Sequence, residues 1–262
     1  MPRKIEPYTF KRAVEEWSRP PIDEVGYISS ARLLDAPDDE LRIMIERFEE
    51  ARYAGWRNVY DLWRKKLGLD STEGKVVLDF GCGVGIEALQ FAKAGNRVFV
   101  ADIAPDNLIL ADRVLKLFGC PAAGVLPVTE GEPFFEIDEP IDVFYANGVL
   151  HHTPKIREIL KRAAEILTDE GEARLMLYSD RGFKWATGQK PEGIERACDH
   201  PRFYQFVRKF DGVGHYADWY SAEKLASVVD GIFELSSFDY ITEKNGFFGQ
   251  YAVAILKKEK GK

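Results

Sequence analysis

Cysteine and histidine are scarce in this chain, and long apolar runs are missing. Three cysteines in 262 residues (Cys82, Cys120, Cys198) are odd in number and far apart. That speaks against a disulfide framework, and no C-x-x-C pair offers a zinc site, so no metal is expected. No uninterrupted apolar run reaches the length of a bilayer-spanning helix, and no membrane partner is expected. The opening MPRKIEPYTF has none of the apolar core of a secretory leader, which makes the cytoplasm the expected location. Positive charge is also short: 36 Lys and Arg stand against 43 Asp and Glu, a net charge of −7. Nucleic acid needs a basic face, so no nucleic-acid partner is expected. The remaining composition, 45% hydrophobic and 30% charged, is that of a globular domain able to bury one sizeable core.

The stretch VVLDFGCGVG at 76–85 organises the rest. Val76–Leu78 is a short β-branched run of the kind that forms a strand buried on both faces. Asp79 ends it, and Gly81, Gly83 and Gly85 follow at alternate positions. Ile86, Leu89 and Phe91 then recur at helical spacing before Gly95. Strand, acid, glycine loop and helix follow in that order. The spacing D-x-G-x-G-x-G differs from the G-x-G-x-x-G dinucleotide fingerprint. A carboxylate at the loop suits a cation or amino group better than a pyrophosphate.

A second strand is expected over Arg97–Ala101, ending at Asp102, 19 residues beyond Gly83. In α/β nucleotide folds an acid at that place accepts hydrogen bonds from ribose hydroxyls; the alternative is a plain surface aspartate. Pro105 starts a helix with Leu108, Ala111, Leu115 and Phe118 inward. Residues 122–128 give a weak third strand, after which Glu130 is either a cofactor-side acid or surface. Ile141–Ala146 is a clear fourth strand. Thr153 as N-cap and Pro154 as first helical residue then open a helix running to Gly171, with a fifth strand at Ala173–Tyr178. Ser221 caps a last helix, and Phe233–Ile241 and Phe247–Leu256 close the chain as two strands joined by a tight Asn-Gly turn.

Two regions stand outside this alternation. Residues 1–36 carry prolines 2, 7, 20 and 21 and read as an irregular arm, followed by two helices from Asp38 to Leu67. The division expected is therefore an arm and helical cap over 1–68 and a main domain over 69–262. Residues 179–220 are too long for an ordinary connection and read as an insertion or lid, with one helix around Phe203–Phe210.

The segments VVLDFGCGVG, VFVADI, IDVFYANGVLHHTP and GEARLMLY, in this order, resemble the class I S-adenosylmethionine (SAM)-dependent methyltransferases. The nearest flavour is the ubiquinone-biosynthesis-like small-molecule group, with its "LHH" after the fourth strand. The resemblance covers about residues 60–178, and the last two strands by topology. It implies an α/β, Rossmann-like, mainly parallel seven-stranded sheet with one antiparallel strand and helices on both faces. It also implies SAM as cofactor and S-adenosylhomocysteine (SAH) as product. Carried over by position, Asp79, Gly81, Cys82, Gly83 and Gly85 hold the methionine part. Asp102 grips the ribose and Ile103 packs on adenine, with Glu130 near it. Asn147 and Gly148 line the floor near the sulfonium. Cys82 is expected to be a packing residue and not a nucleophile.

Methyl transfer is an in-line displacement whose main requirement is alignment. A hydroxyl acceptor also profits from a base, usually histidine. Of four histidines, His151 and His152 follow the fourth strand, where open α/β sheets bind ligands, while His200 and His215 lie in the lid. The ranking expected is His152 over His151, and His215 last; a capping or core histidine is the alternative for each. The acceptor expected is a small molecule, aromatic or sugar-like, methylated on O or N. An NAD(P)-dependent oxidoreductase and a non-catalytic SAM-binding protein are the competing readings.

Overall fold

The computed structural model describes residues 8–19, 21–22, 26–27, 29–53, 62–191, 199–210, 216–241 and 249–259. The chain divides into two compact units, one of residues 10–145 and one of residues 146–262 with 1–9.

The first unit begins with helix α1 (Phe10–Trp17), a two-stranded ribbon of β1 (Pro21–Ile22) and β2 (Gly26–Tyr27), α2 (Ser30–Leu34), α3 (Asp38–Tyr53) and α4 (Leu62–Lys66). Among its described residues, the expected irregular arm is thus largely helix and strand. α1 itself contains no proline, so nothing in its sequence breaks the helix. Residues 54–61, part of the second expected cap helix, lie outside the described residues.

The nucleotide-fold pattern follows as β3 (Val76–Phe80), α5 (Ile86–Lys93), β4 (Arg97–Asp102), α6 (Pro105–Leu117), β5 (Gly124–Pro127) and β6 (Ile141–Asn147). β3 pairs in parallel with β4 and β6, and β4 with β5. Val77, Leu78, Val98, Val100, Val143 and Phe144 are all buried. Helices on both faces of a parallel sheet require this, so the strands read as continuous apolar runs with no alternation. Helix α6 buries Leu108, Ala111, Val114 and Leu115 and leaves Ile109 exposed. Helices α2 and α3 pack against it. Arg113 of α6 donates to the carbonyls of Leu34 and Ala36, both at 2.7 Å, and pairs with Asp38.

The second unit holds a short 3₁₀ turn (Leu150–His152), α7 (Ile156–Ile166), β7 (Leu167–Tyr178), α8 (Asp180–Thr187), α9 (Pro201–Phe210), α10 (Ala222–Val229), β8 (Phe233–Ile241) and β9 (Tyr251–Lys258). β9 is antiparallel to both β7 and β8. The strands run β5-β4-β3-β6-β7-β9-β8 in one seven-stranded sheet, and the boundary between the units falls inside β6.

Several boundaries differ from the expected ones. α7 starts at Ile156 because Lys155 is its N-cap, while the Thr153 hydroxyl accepts the Lys155 N–H at 3.1 Å in the preceding turn. Leu167–Gly171 is already strand and not the end of a helix. The final strand begins at Tyr251, and the Asn-Gly turn lies outside the described residues. α8 was not expected: Ser179 caps it by accepting the Gly182 N–H at 3.0 Å. The rings of Phe183, Phe203 and Phe206 pack with Tyr178 into an apolar cluster. Among the described residues, no helix is long and apolar enough to cross a membrane.

Candidate active site

Within the first unit, the loop after β3 turns back on β4. The N–H groups of Gly81 and Cys82 both donate to the Ala101 carbonyl, at 2.7 and 3.1 Å. Gly81, Gly83 and Gly85 have φ of 80°, 53° and 83°, a region closed to most side chains. Gly85 is also the N-cap of α5, and a Cβ there would stand 3.0 Å from that of Ala111. It serves the close approach of α5 and α6 as well as the turn.

Asp102 is buried at the end of β4. One carboxylate oxygen accepts the Gly83 N–H at 2.9 Å; the other accepts the Ala104 N–H at 2.8 Å and the Asn107 amide at 3.0 Å. Burial pushes its pKa up to about 6, against the pull of these hydrogen bonds. The acid that sequence spacing marked for a ribose therefore also braces the glycine loop. Asn107 in turn accepts the Ser30 hydroxyl at 2.5 Å and donates to the Trp17 carbonyl at 3.0 Å. This chain of contacts leads back to α1 and α2.

Asp79 is buried too, and its Oδ2 has no hydrogen-bond partner among the described residues. Burial raises its pKa well above the usual carboxylate range, and the Glu87 and Asp102 carboxylates push the same way. The Arg52 guanidinium and the Ala88 N–H pull it down. Arg52, in the last turn of α3, donates to Glu87 in the first turn of α5, and both side chains are largely buried. A buried acceptor left open in an acidic surrounding is a seat for a cation. Cys82 is buried and its thiol is pushed up by desolvation, then by Asp102 and Asp79, so it is held as a thiol and not a nucleophile. Ile103 is half-buried and Glu130 exposed.

The second unit carries Asn147, Gly148 and the histidine pair. Gly148 (φ 78°) donates its N–H to the Met176 carbonyl at 3.2 Å. His151 and His152 are both buried, with ring centroids 4.2 Å apart. His151 Nδ1 accepts the Tyr178 N–H at 3.3 Å, and its own carbonyl accepts the Asp218 N–H at 2.8 Å. Burial, then His152, hold the His151 pKa well below its usual value. His152 Nδ1 lies 3.0 Å from the Tyr216 carbonyl, an oxygen that can only accept. Nδ1 is therefore the donor in this contact. His215 lies outside the described residues, and His200 is half-buried beside Phe183. Among the described residues, no group of three or more His, Cys, Asp and Glu side chains is placed to hold a metal.

Residues 78–173 match the family model described as "Methyltransferase domain". Over that segment the chain is similar to methyltransferase domains. Solved methyltransferase structures carry the same fold at low identity. One from Clostridium acetobutylicum is 12% identical, with a TM-score of 0.56 and coverage of 78% of this chain and 92% of that one. A putative methyltransferase from Bacillus halodurans is 19% identical, with a TM-score of 0.51 over 73% and 95%. Magnesium protoporphyrin IX methyltransferase from Synechocystis, solved with bound SAH, is 13% identical, with a TM-score of 0.51 over 78% and 83%. A search of curated proteins finds no match to this sequence. The matched methyltransferase segment excludes Ser30 and Arg52, which donate to Asn107 and Glu87 within it. Sequence reading missed both, because neither belongs to a local motif.

Proposed function

We propose that this methyltransferase binds SAM through Asp79, the Gly81–Gly85 loop and Asp102, and methylates O or N of a small-molecule acceptor in the cytoplasm. The observation that carries the cofactor assignment is the buried Oδ2 of Asp79, which has no partner among the described residues. SAM brings an amino group to such a site, and burying a carboxylate without a counter-charge is otherwise costly. Asp102 already accepts the N–H groups of Gly83, Ala104 and Ile103 and the Asn107 amide, and we assign its remaining acceptor capacity to the ribose hydroxyls. When bound, SAM supplies an electrophilic methyl on a sulfonium, which leaves as a neutral thioether.

We assign His152 as the base. Its Nδ1–H is fixed on the Tyr216 carbonyl, so Nε2 can take the acceptor's proton as the new C–O bond forms. His151 acts as its neighbour and structural support: its Nδ1 is committed to the Tyr178 backbone. Asn147 and Gly148 are assigned to the floor near the sulfonium, Ile103 to adenine, and Glu130 to an outer position. An aromatic or sugar-like acceptor is favoured by the ring-rich segment around Tyr178, where the Trp219 indole N–H is buried without a partner among the described residues.

Calorimetric titration tests the cofactor. Heat from SAH and none from NAD is expected; the reverse would overturn the assignment.

A further inference from the structure

We infer that Arg52, outside the matched methyltransferase segment, is a positioning residue that keeps the SAM-binding carboxylate of Asp79 competent by neutralising Glu87. The inference rests on the SAM assignment above. Its basis is geometric. Arg52 sits at the end of α3 and donates through Nε to Glu87 Oε1. Glu87 is 5% exposed, in the first turn of the helix that the glycine loop opens. An unpaired carboxylate so deeply buried would be expensive, and Arg52 supplies its counter-charge.

The same pair sets the field at Asp79. Burial is the largest influence on that carboxyl and disfavours its charge; Glu87 and Asp102 add to this, while Arg52 and the Ala88 N–H oppose it. The Cys82 thiol beside the loop is held neutral. Arg52 offsets part of the Glu87 charge, which lowers the cost of ionising Asp79 when an ammonium arrives. Without Arg52 that offset is lost, and Asp79 holds its proton more tightly. A proton on Asp79 removes the charge that the amino end of SAM needs.

The sequence separation explains why such a residue stands in α3. Arg52 and Glu87 are 35 positions apart, so this charge reaches Glu87 through a docked α3. The segment before the methyltransferase domain is thereby part of the cofactor site in effect, although it contributes through Glu87 and not by contact with the ligand.

SAH and 5′-methylthioadenosine, which lacks the amino and carboxyl ends, separate this role from a packing role. Both are titrated calorimetrically into the full-length protein, Arg52→Gln, and Arg52→Gln/Glu87→Gln, from about pH 5 to about pH 9. SAH affinity of Arg52→Gln should fall about tenfold near pH 7, with its pH midpoint moved upward by about one unit. The double variant should regain affinity and midpoint, because the second carboxylate is gone. Methylthioadenosine affinity should stay within about twofold throughout. Equal losses for both ligands, or no rescue by Glu87→Gln, would reduce Arg52 to packing and overturn the inference. If Arg52→Gln does not fold, the double variant and Arg52→Lys decide: both must bind SAH with the original midpoint. Failure of the unmodified protein to bind either ligand would instead overturn the SAM assignment itself.

Discussion

The carboxylate of Asp102 accepts the backbone N–H of Gly83 at 2.9 Å, across 19 residues of sequence. One side chain thus ends a strand, braces the glycine loop and presents the acid intended for the cofactor. These tasks conflict, because bracing requires burial and burial opposes the charge.

The conflict has a measurable sign. The pKa of Asp102 rises from 3.8 unfolded to about 6 folded. Between those values the folded state holds a proton that the unfolded state has lost. Stability due to this group is therefore intact below about pH 4, falls as pH rises, and levels off above about pH 6. A shift of that size is worth about 3 kcal/mol at most. Asp102→Asn should remove this slope, so that the variant gains on the unmodified protein between about pH 4 and 6 while losing SAH affinity about tenfold or more. Urea unfolding at several pH values reads the first effect and calorimetry the second. A stability difference that does not change with pH would show that Asp102 titrates normally.

Local patterns announced the local structure. The alternate glycines, the acids at 79 and 102, Pro105 at a helix start and Ser221 as a cap all act over a few residues, and each is found in place. Ser179 had the same kind of signal, a serine three residues before the N–H it caps, and α8 could have been read from it. The Ser30–Asn107–Asp102 and Arg52–Glu87 contacts had none. Their partners lie 77 and 35 positions apart, and a serine or arginine on a helix surface looks the same whether it ends in solvent or on a buried acid.

Gly85 offers a test of loop packing apart from charge. Its φ is 83°, and an added methyl would stand only 3.0 Å from the Ala111 Cβ, so backbone strain and overpacking combine. Gly85→Ala should cost about 2–4 kcal/mol, seen as a lower thermal midpoint. A loss under about 1 kcal/mol would mean that the α5–α6 approach yields easily.

The link from Ser30 to Asp102 should show up as coupling. Ser30→Ala leaves the Asn107 oxygen without its 2.5 Å donor, and Asn107→Leu leaves Asp102 without one of its own. Each single change should cost about 1–3 kcal/mol. The double variant should lose less than the sum, by about 0.5 kcal/mol or more, since the second change removes groups already orphaned. Strict additivity in denaturant unfolding would mean that the two bonds act independently.

The two histidines should separate by what each substitution damages. His151 accepts the Tyr178 N–H and is packed against the Tyr178 ring, with centroids 4.2 Å apart. His151→Ala removes an acceptor and opens a cavity, so its main effect should be on stability, about 2–4 kcal/mol. His152 instead donates through Nδ1 to the Tyr216 carbonyl, which leaves Nε2 as the ring nitrogen assigned to the acceptor's proton. His152→Ala should lower turnover about 10²-fold or more, with SAH affinity nearly unchanged. His152→Gln offers an amide N–H to the same carbonyl but no base, and should be nearly as inactive. If His152→Gln kept most of the activity, the ring would be an orienting group, and the acceptor one that needs alignment alone, such as an amine.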